Sequence, residues 1–393
     1  MENEVKTNNY HCYILPWLNL KEEIHIGAVT FKRFDPKNLD DGSNQELIES
    51  LKKSLEHFVK WNGKPTDQAV VCFYKNQWIY DQNFRGKQNI REAVDILTFL
   101  VISRLNVLCF CGNEYMGQPA SAEKFKLATV PVLKDANTNH EVFNKAGVVT
   151  ICSDVDKFYF DLEPTKHGYR ELTKNQYNSE LLELFKHLIA SARNEEVEKI
   201  FRAVTWFRYS QTESTEIDPF SCILMKMTAF EILLNLPDRD TRFKFMEHID
   251  KDYVNKASND NPLENFIMEK RTIKRGQSET RFNQSKLAWW AYDIYGLRSR
   301  IVHGEHLESK DMKRDDQKYN ELIIADIVFS WLVTEKLMRL YCPIIDENDI
   351  KKMIERSFYE ISLRNLFFDA FKKAGWIVRN KEADQPGPYP EIQ

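Results

Sequence analysis

From Asn178 onward, every apolar segment of the chain repeats at three- and four-residue intervals. The segments are "SELLELFKHLIASA", "EVEKIFRAVTWFRYS", "FSCILMKMTAFEILLNL", "TRFKFMEHI", "KLAWWAYDIYGLRSRIVHG", "ELIIADIVFSWLVTEKLMRLY" and "NDIKKMIERSFYEISLRNLFFDAFKKAG". This spacing lays the apolar side chains in one stripe along a helix, and such a stripe must be buried against a neighbour. Seven such segments with short connections predict a helical bundle or array, with no strand after Asn178.

Residues 1–175 have a different pattern. "IHIGAVTFKRF" (24–34) and "QAVVCFYKNQWIY" (68–80) alternate and are rich in β-branched and aromatic residues, so each reads as a strand. "FKLATVPVL" and "AGVVTICSD" read as strands too. Between the first two, "NQELIESLKKSLEHFVKW" places Leu47, Leu51, Leu55 and Phe58 at helical spacing, with Asn44 as its cap. "AVDILTFLVISRLNVLCFCG" is interrupted by Asp95 and Arg104 and reads as a buried helix, not a membrane span. The expected organisation is a mixed α/β domain over 1–175 and a helical domain over 176–345. A C-terminal helix over 346–380 packs on the latter, and a proline-bearing disordered tail follows over 381–393. The turn-rich stretch "LEPTKHGYRELTKNQYNS" marks the boundary.

A net charge of −4 over 393 residues does not make the whole molecule an electrostatic nucleic-acid binder, so any polyanion site must be local. The seven cysteines share no repeated spacing and read as reduced, mostly buried thiols of a cytoplasmic protein. The N-terminal residues have neither the basic nor the apolar region of a secretory signal. "GNEYMGQPA" (112–120) has P-loop glycine spacing, but Gln118-Pro119 stands where the lysine and hydroxyl residue would be. "HGEH" sets His303 and His306 around Gly304 and Glu305, a helix terminus rather than a rigid metal-ligand face.

The chemistry-bearing stretch is "YGLRSRIVHGEH", residues 295–306. Leu287, Trp290, Ile294, Leu297 and Ile301 form one apolar stripe, leaving Arg298 on its shoulder. Gly304 suits a left-handed cap, which places His303 at the last turn. The helix dipole favours imidazolium there and a neighbouring arginine opposes it, so the histidine can titrate near neutrality. An arginine supplies donors matched to phosphate oxygens. Together they can move the proton of an RNA 2′-hydroxyl and stabilise phosphate charge. The same spacing also serves a helix end capped by a cation, and it recurs loosely as Arg242/His248 and Arg300/His306. Spacing alone leaves both open.

"LRSRIVHG" at 297–304, the "AYDIYG" before it and the earlier "MKMTAFEILLNLPDRDTRFKFMEHI" resemble the Apea-like HEPN family of bacterial proteins over about residues 178–345. In that family a helix with an Ala-x-Glu centre, here "AFEILL", precedes a helix ending in Leu-Arg-Ser-x-Ile-Val-His-Gly. The resemblance implies an α+β N-terminal domain followed by an all-α HEPN-type helical bundle that dimerises. It implies a composite, metal-independent endoribonuclease site at the dimer interface, of phage-defence or toxin type, requiring no cofactor. Arg298 and His303 would be the catalytic pair, supported by Glu231 on the facing helix and by Ser299, Arg300, Tyr295 and His306. Ser299 departs from the general HEPN pattern of a polar Asn, Asp or His after the arginine, but matches this subfamily. Some HEPN domains cleave nothing, so the alternative is an interaction module, an antitoxin or scaffold.

The partners implied are RNA, with tRNA one candidate, a second copy of the chain, and a phage-derived trigger or cognate antitoxin. No membrane partner is expected. The segment 270–286 adds Lys270, Arg271, Lys274, Arg275, Arg281 and Lys286 against one acid, Glu279, and leads into the motif helix. It reads as an RNA-backbone strip or as a solvated loop. Trp289, Tyr292 and Tyr295 are expected to meet the partner chain. The N-terminal half weakly resembles the region preceding such domains and would sense a trigger, restrain the nuclease or select the RNA.

Overall fold

The computed structural model describes residues 10–35, 45–56, 58, 69–81, 83–112, 121–132, 141–145, 148–152, 171–172, 176–212, 217–255, 264–275, 278–312, 321–341 and 364–379. The chain divides into two compact units. The first comprises 1–104, 118–192 and 211–214; the second comprises 105–117, 193–210 and 215–393. Asn44, residues 113–120 of the P-loop-like stretch, the boundary stretch over 161–170, residues 346–363 and the tail lie outside the described residues.

The first unit is built on β1 (Tyr10–Leu15), β2 (Asn19–Leu20), β3 (Ile24–Ile26), β4 (Val29–Arg33), β5 (Val70–Tyr74), β6 (Ala128–Val132), β7 (Glu141–Lys145), β8 (Val148–Cys152) and β9 (Glu171–Leu172). Seven of these form one sheet in the order β3-β4-β5-β1-β6-β8-β7, antiparallel except for β6–β8. "IHIGAVTFKRF" is therefore two strands: Gly27, at φ +60°, turns the chain so that Ile24 pairs Phe31. An added Cβ at Gly27 would lie 2.6 Å from Ile189, so both the turn and the close approach require glycine. Helix α1 (Gln45–Leu55) presents Ile48, Leu51 and Leu55 to Cys12, Ile14, Val71 and Val130 on one sheet face. Cys12 and Cys72 are fully buried in the sheet, and burial pushes both thiols up.

Helix α2 (Lys87–Phe110) is long and apolar enough to cross a membrane by composition, yet Ile90, Val94, Leu97, Phe99 and Val101 are buried within the protein. Helix α3 (Ser179–Ala190) completes the first unit, its Asn178 side chain accepting the Leu181 amide at 2.9 Å.

The second unit contains α4 (Glu195–Tyr209), α5 (Pro219–Leu234), α6 (Thr241–His248), α7 (Lys286–Val302), α8 (Glu321–Tyr341) and α9 (364–373). A π-helical turn (Ile249–Val254) continues α6. Helix α5 packs on α4, α7 and α8, and α6 packs on α7. Phe230 of α5 centres the core, its ring 5.2 Å from Phe245, 6.1 Å from Trp290 and 5.4 Å from Phe329. Buried Lys226 is ion-paired with buried Asp326, which also accepts from Asn106 at 2.9 Å.

The expectation of an all-helical second half needs correction. β10 (Glu264–Phe266) pairs with β13 (Ile377–Arg379), and β11 (Met268–Arg275) pairs with β12 (Ser278–Ser285) in an antiparallel hairpin. The chain is thus mixed α and β throughout. The hairpin carries only Ile273 and Phe282 as interior apolar residues, too few to register as a strand pattern. It is held instead by Arg271 and Phe282 against Trp289 of α7.

Candidate active site

Helix α7 begins at Ser285, whose hydroxyl accepts the Ala288 amide at 3.1 Å. Its stripe of Leu287, Trp290, Ile294 and Leu297 is buried, with Ile301 half-buried at the end. Two bonds close the terminus: the Glu305 amide donates to the Arg300 carbonyl at 3.0 Å and the Gly304 amide to Ile301 at 3.1 Å. Gly304, at φ +72°, makes this cap, and nothing lies within 4 Å of where its Cβ would be. His303 stands at the cap itself, exposed, with no side-chain hydrogen bond or ion pair among the described residues.

Arg298 lies against the last turn of α5. Its Nη2 is 3.5 Å from Glu231 Oε1, and its guanidinium is 5.4 Å from the Tyr295 ring centre. The Tyr295 hydroxyl donates to the same Glu231 oxygen at 2.9 Å. Burial pushes the Tyr295 phenol up; its bond to Glu231 adds to this, while Thr241 and Arg298 oppose it. Glu231, 67 residues before Arg298, is thereby gathered with Tyr295 and Arg298 into one half-exposed cluster. Asn235, left-handed at φ 52°, ends α5 just beyond it. Arg298 and His303 do not converge within one chain. Five residues advance roughly 7.5 Å along α7 and turn about 140° around it.

The remaining motif residues are dispersed. Arg300 donates to Glu305 at 2.8 Å and to Asp311 at 3.1 Å, and these carboxylates hold its guanidinium above the ordinary arginine range. It pins the segment after the helix. His306 is exposed beyond the cap, and Ser299 lines a cavity of which Arg298 is not part. The alternative pair Arg242/His248 is split. Arg242 donates to the Tyr292 carbonyl at 2.8 Å and stacks 3.6 Å above the Tyr292 ring, whereas His248 Nδ1 meets Asp252 at 2.7 Å. Burial pushes the His248 imidazole down, against the pull of Asp252.

The basic segment is not one strip. Alternation along the hairpin sends Lys270, Lys274 and Arg281 to the exposed face, where Lys274 pairs with Glu279 at 2.9 Å. Arg271 turns inward onto Glu269 at 2.7 Å and Asp293 at 2.9 Å. Lys286 is the first residue of α7, and the Arg275 side chain lies outside the described residues. The expectation that Trp289 meets a partner chain is also corrected: it is buried in its own chain, its indole donating to the Glu269 carbonyl at 2.8 Å. Tyr292, under Arg242 on one face, and Tyr295 are both half-buried.

A cavity of about 1050 Å³ lies on the other side of α7, lined by Lys286, Asp293, Leu297, Ser299 and Arg300 of that helix. Arg298 is not part of its wall, standing roughly 160° from Arg300 around the helix. Arg242 from α6 and Trp376 after α9 also line it. Trp376 did not stand out in the sequence, and Arg242 did so only through its loose spacing to His248, since no spacing rule links positions 242 and 376 to α7. Compared with family models, curated proteins and solved structures, the chain matches none.

Proposed function

We propose that the chain is a metal-independent endoribonuclease of the HEPN type, working as a symmetric dimer. The carrying observation is the end of α7: an arginine held by Glu231 and Tyr295, then an exposed histidine, without a side-chain partner among the described residues, next to a left-handed glycine cap. In the proposed step, the RNA 2′-oxygen attacks the adjacent phosphorus and the bond to the 5′-oxygen breaks. This leaves a 2′,3′-cyclic phosphate and a 5′-hydroxyl. His303 relays the proton from the 2′-hydroxyl to the leaving oxygen, and Arg298 neutralises charge on the non-bridging oxygens. Lys270, Lys274 and Arg281 would contact the RNA backbone.

A non-catalytic interaction module is favoured by one observation, the Arg298–Glu231 ion pair, which gives the arginine a structural use. One experiment separates the two roles. His303→Ala and Arg298→Ala should each lower RNA cleavage by about two orders of magnitude or more, as loss of an acid–base group or an oxyanion donor does. His303→Ala should leave the unfolding midpoint unchanged. Cleavage should persist in EDTA with cyclic-phosphate ends. Unaltered cleavage in both variants, or none by the natural chain, would leave the module role standing.

A further inference from the structure

The cavity beside α7 has walls of both signs, and its charges are unequally satisfied. Arg271 is bonded to Glu269 and Asp293, Arg300 to Glu305 and Asp311, and Glu321 accepts the Trp290 indole at 2.6 Å. The wall's carboxylates therefore all have donors. Two of its cations lack carboxylates. Lys286 has no hydrogen bond from its ammonium group and no ion pair among the described residues. Among the described residues, Arg242 meets a carbonyl and a ring, which occupy its Nε and one face, and its Nη groups have no acceptor there. The Ser299 hydroxyl likewise has no partner among the described residues.

The placement of these three groups follows from α7. Arg242 is seated at Tyr292–Gly296; a Cβ on Gly296 would come within 2.6 Å of its Nη2, so glycine is what lets the guanidinium lie on the helix. Ser299 is one turn further on. Lys286 lies roughly 15 Å back along the axis from Gly296. The cavity is thus long, with an anion-seeking pair, Arg242 and Ser299, at one position and a lone ammonium towards the other end. Ile294, Leu297 and Trp376 supply apolar wall. Its volume is that of a small-molecule site.

We propose that this cavity binds an elongated organic polyphosphate: one end of its phosphate chain on Arg242 and Ser299, the other end reaching towards Lys286, and the uncharged body along Leu297 and Trp376. Guanidinium with a hydroxyl suits a phosphate group, which offers acceptors in several directions. The test is calorimetric titration of the full chain with ATP and, separately, inorganic pyrophosphate. ATP should bind saturably and more tightly than pyrophosphate. Lys286→Gln and Ser299→Ala, which remove no side-chain hydrogen bond or ion pair among the described residues, should each weaken ATP binding roughly three- to tenfold or more, the worth of one such hydrogen bond. Arg242→Gln should weaken it further, and Lys244→Gln, on the exposed side of α6, should leave it unchanged. No saturable binding of either probe at millimolar concentration, or binding indifferent to Lys286→Gln and Ser299→Ala, would overturn the proposal. Binding of a single-stranded RNA oligonucleotide alone, lost in Lys286→Gln, would also overturn it and assign the cleft to RNA. Because the readout is binding, a chain that takes ATP and cleaves no RNA leaves this site standing.

Discussion

Asp218 shows how one side chain sets a helix start. Its carboxylate accepts the amides of Phe220 at 2.7 Å and Ser221 at 3.0 Å and the Ser221 hydroxyl at 2.7 Å, with Pro219 opening α5. The Ser221 hydroxyl, then its amide, hold the carboxyl below the usual aspartate range. A depressed folded value means that the bonds stabilise above the unfolded value and are lost as pH falls through the folded one. Asp218→Ala should therefore cost about 1 kcal/mol at pH 7 in urea titrations. The gap between natural chain and variant should close at pH values well below the ordinary aspartate range. A gap that persists undiminished in acid would show that the loss is not electrostatic. The cap matters beyond α5 itself, because this helix carries Glu231 at its other end. At that end, Glu231 is fixed by Tyr295 and Arg298, residues with which it shares no local pattern.

At the scale of elements, α7 was legible because its buried stripe and Gly304 both obey local rules: period and cap chemistry act within a few residues. The hairpin after residue 268 was not legible. Its inward positions, Glu269, Arg271, Ile273, Phe282 and Gln284, are mostly polar, and they are held by tertiary partners on α7 rather than by apolar alternation. Two eight-residue runs around "RGQS", with Thr272, Ile273, Thr280 and Phe282 among them, were the available signal. Conversely, "IHIGAVTFKRF" looked like one strand because alternation passes straight through Gly27. The hairpin's register now says which cations can meet RNA. Lys270 and Arg281 lie on the exposed face without acidic partners among the described residues. Lys270→Glu with Arg281→Glu should weaken RNA binding and reduce the log–log salt slope by roughly 0.7 per lost contact on single strands. An unchanged slope in filter-binding titrations would remove the hairpin from the interface.

At the scale of the whole molecule, the second unit is tied together by a charge taken out of water. Lys226 is 2% exposed, and Asp326 joins it to Asn106 across the core. Removing one partner strands the other, so Asp326→Ala should cost roughly 3–5 kcal/mol. Lys226→Met with Asp326→Leu should cost much less, and equal losses in denaturant titrations would argue against the pair. Within one chain, Arg298 and His303 point to different sides of α7, so the proposed ribonuclease needs a second α7 to bring an arginine of one copy to the histidine of the other. Tyr295, Arg298 and Val302 follow at helical spacing, and Val302 is 53% exposed. This is the edge a two-fold partner would cover. Val302→Glu should convert a dimer to a monomer in sedimentation and remove cleavage, while leaving the unfolding midpoint of the single chain intact. A mixture of Arg298→Ala and His303→Ala chains tests the sharing directly. Each is inactive alone, but their mixed dimer pairs the arginine of one with the histidine of the other and should recover up to half of the natural turnover per mixed dimer. A monomeric natural chain at micromolar concentration that still cleaves, or mixtures with no recovery despite exchange of subunits, would show that the site is not shared.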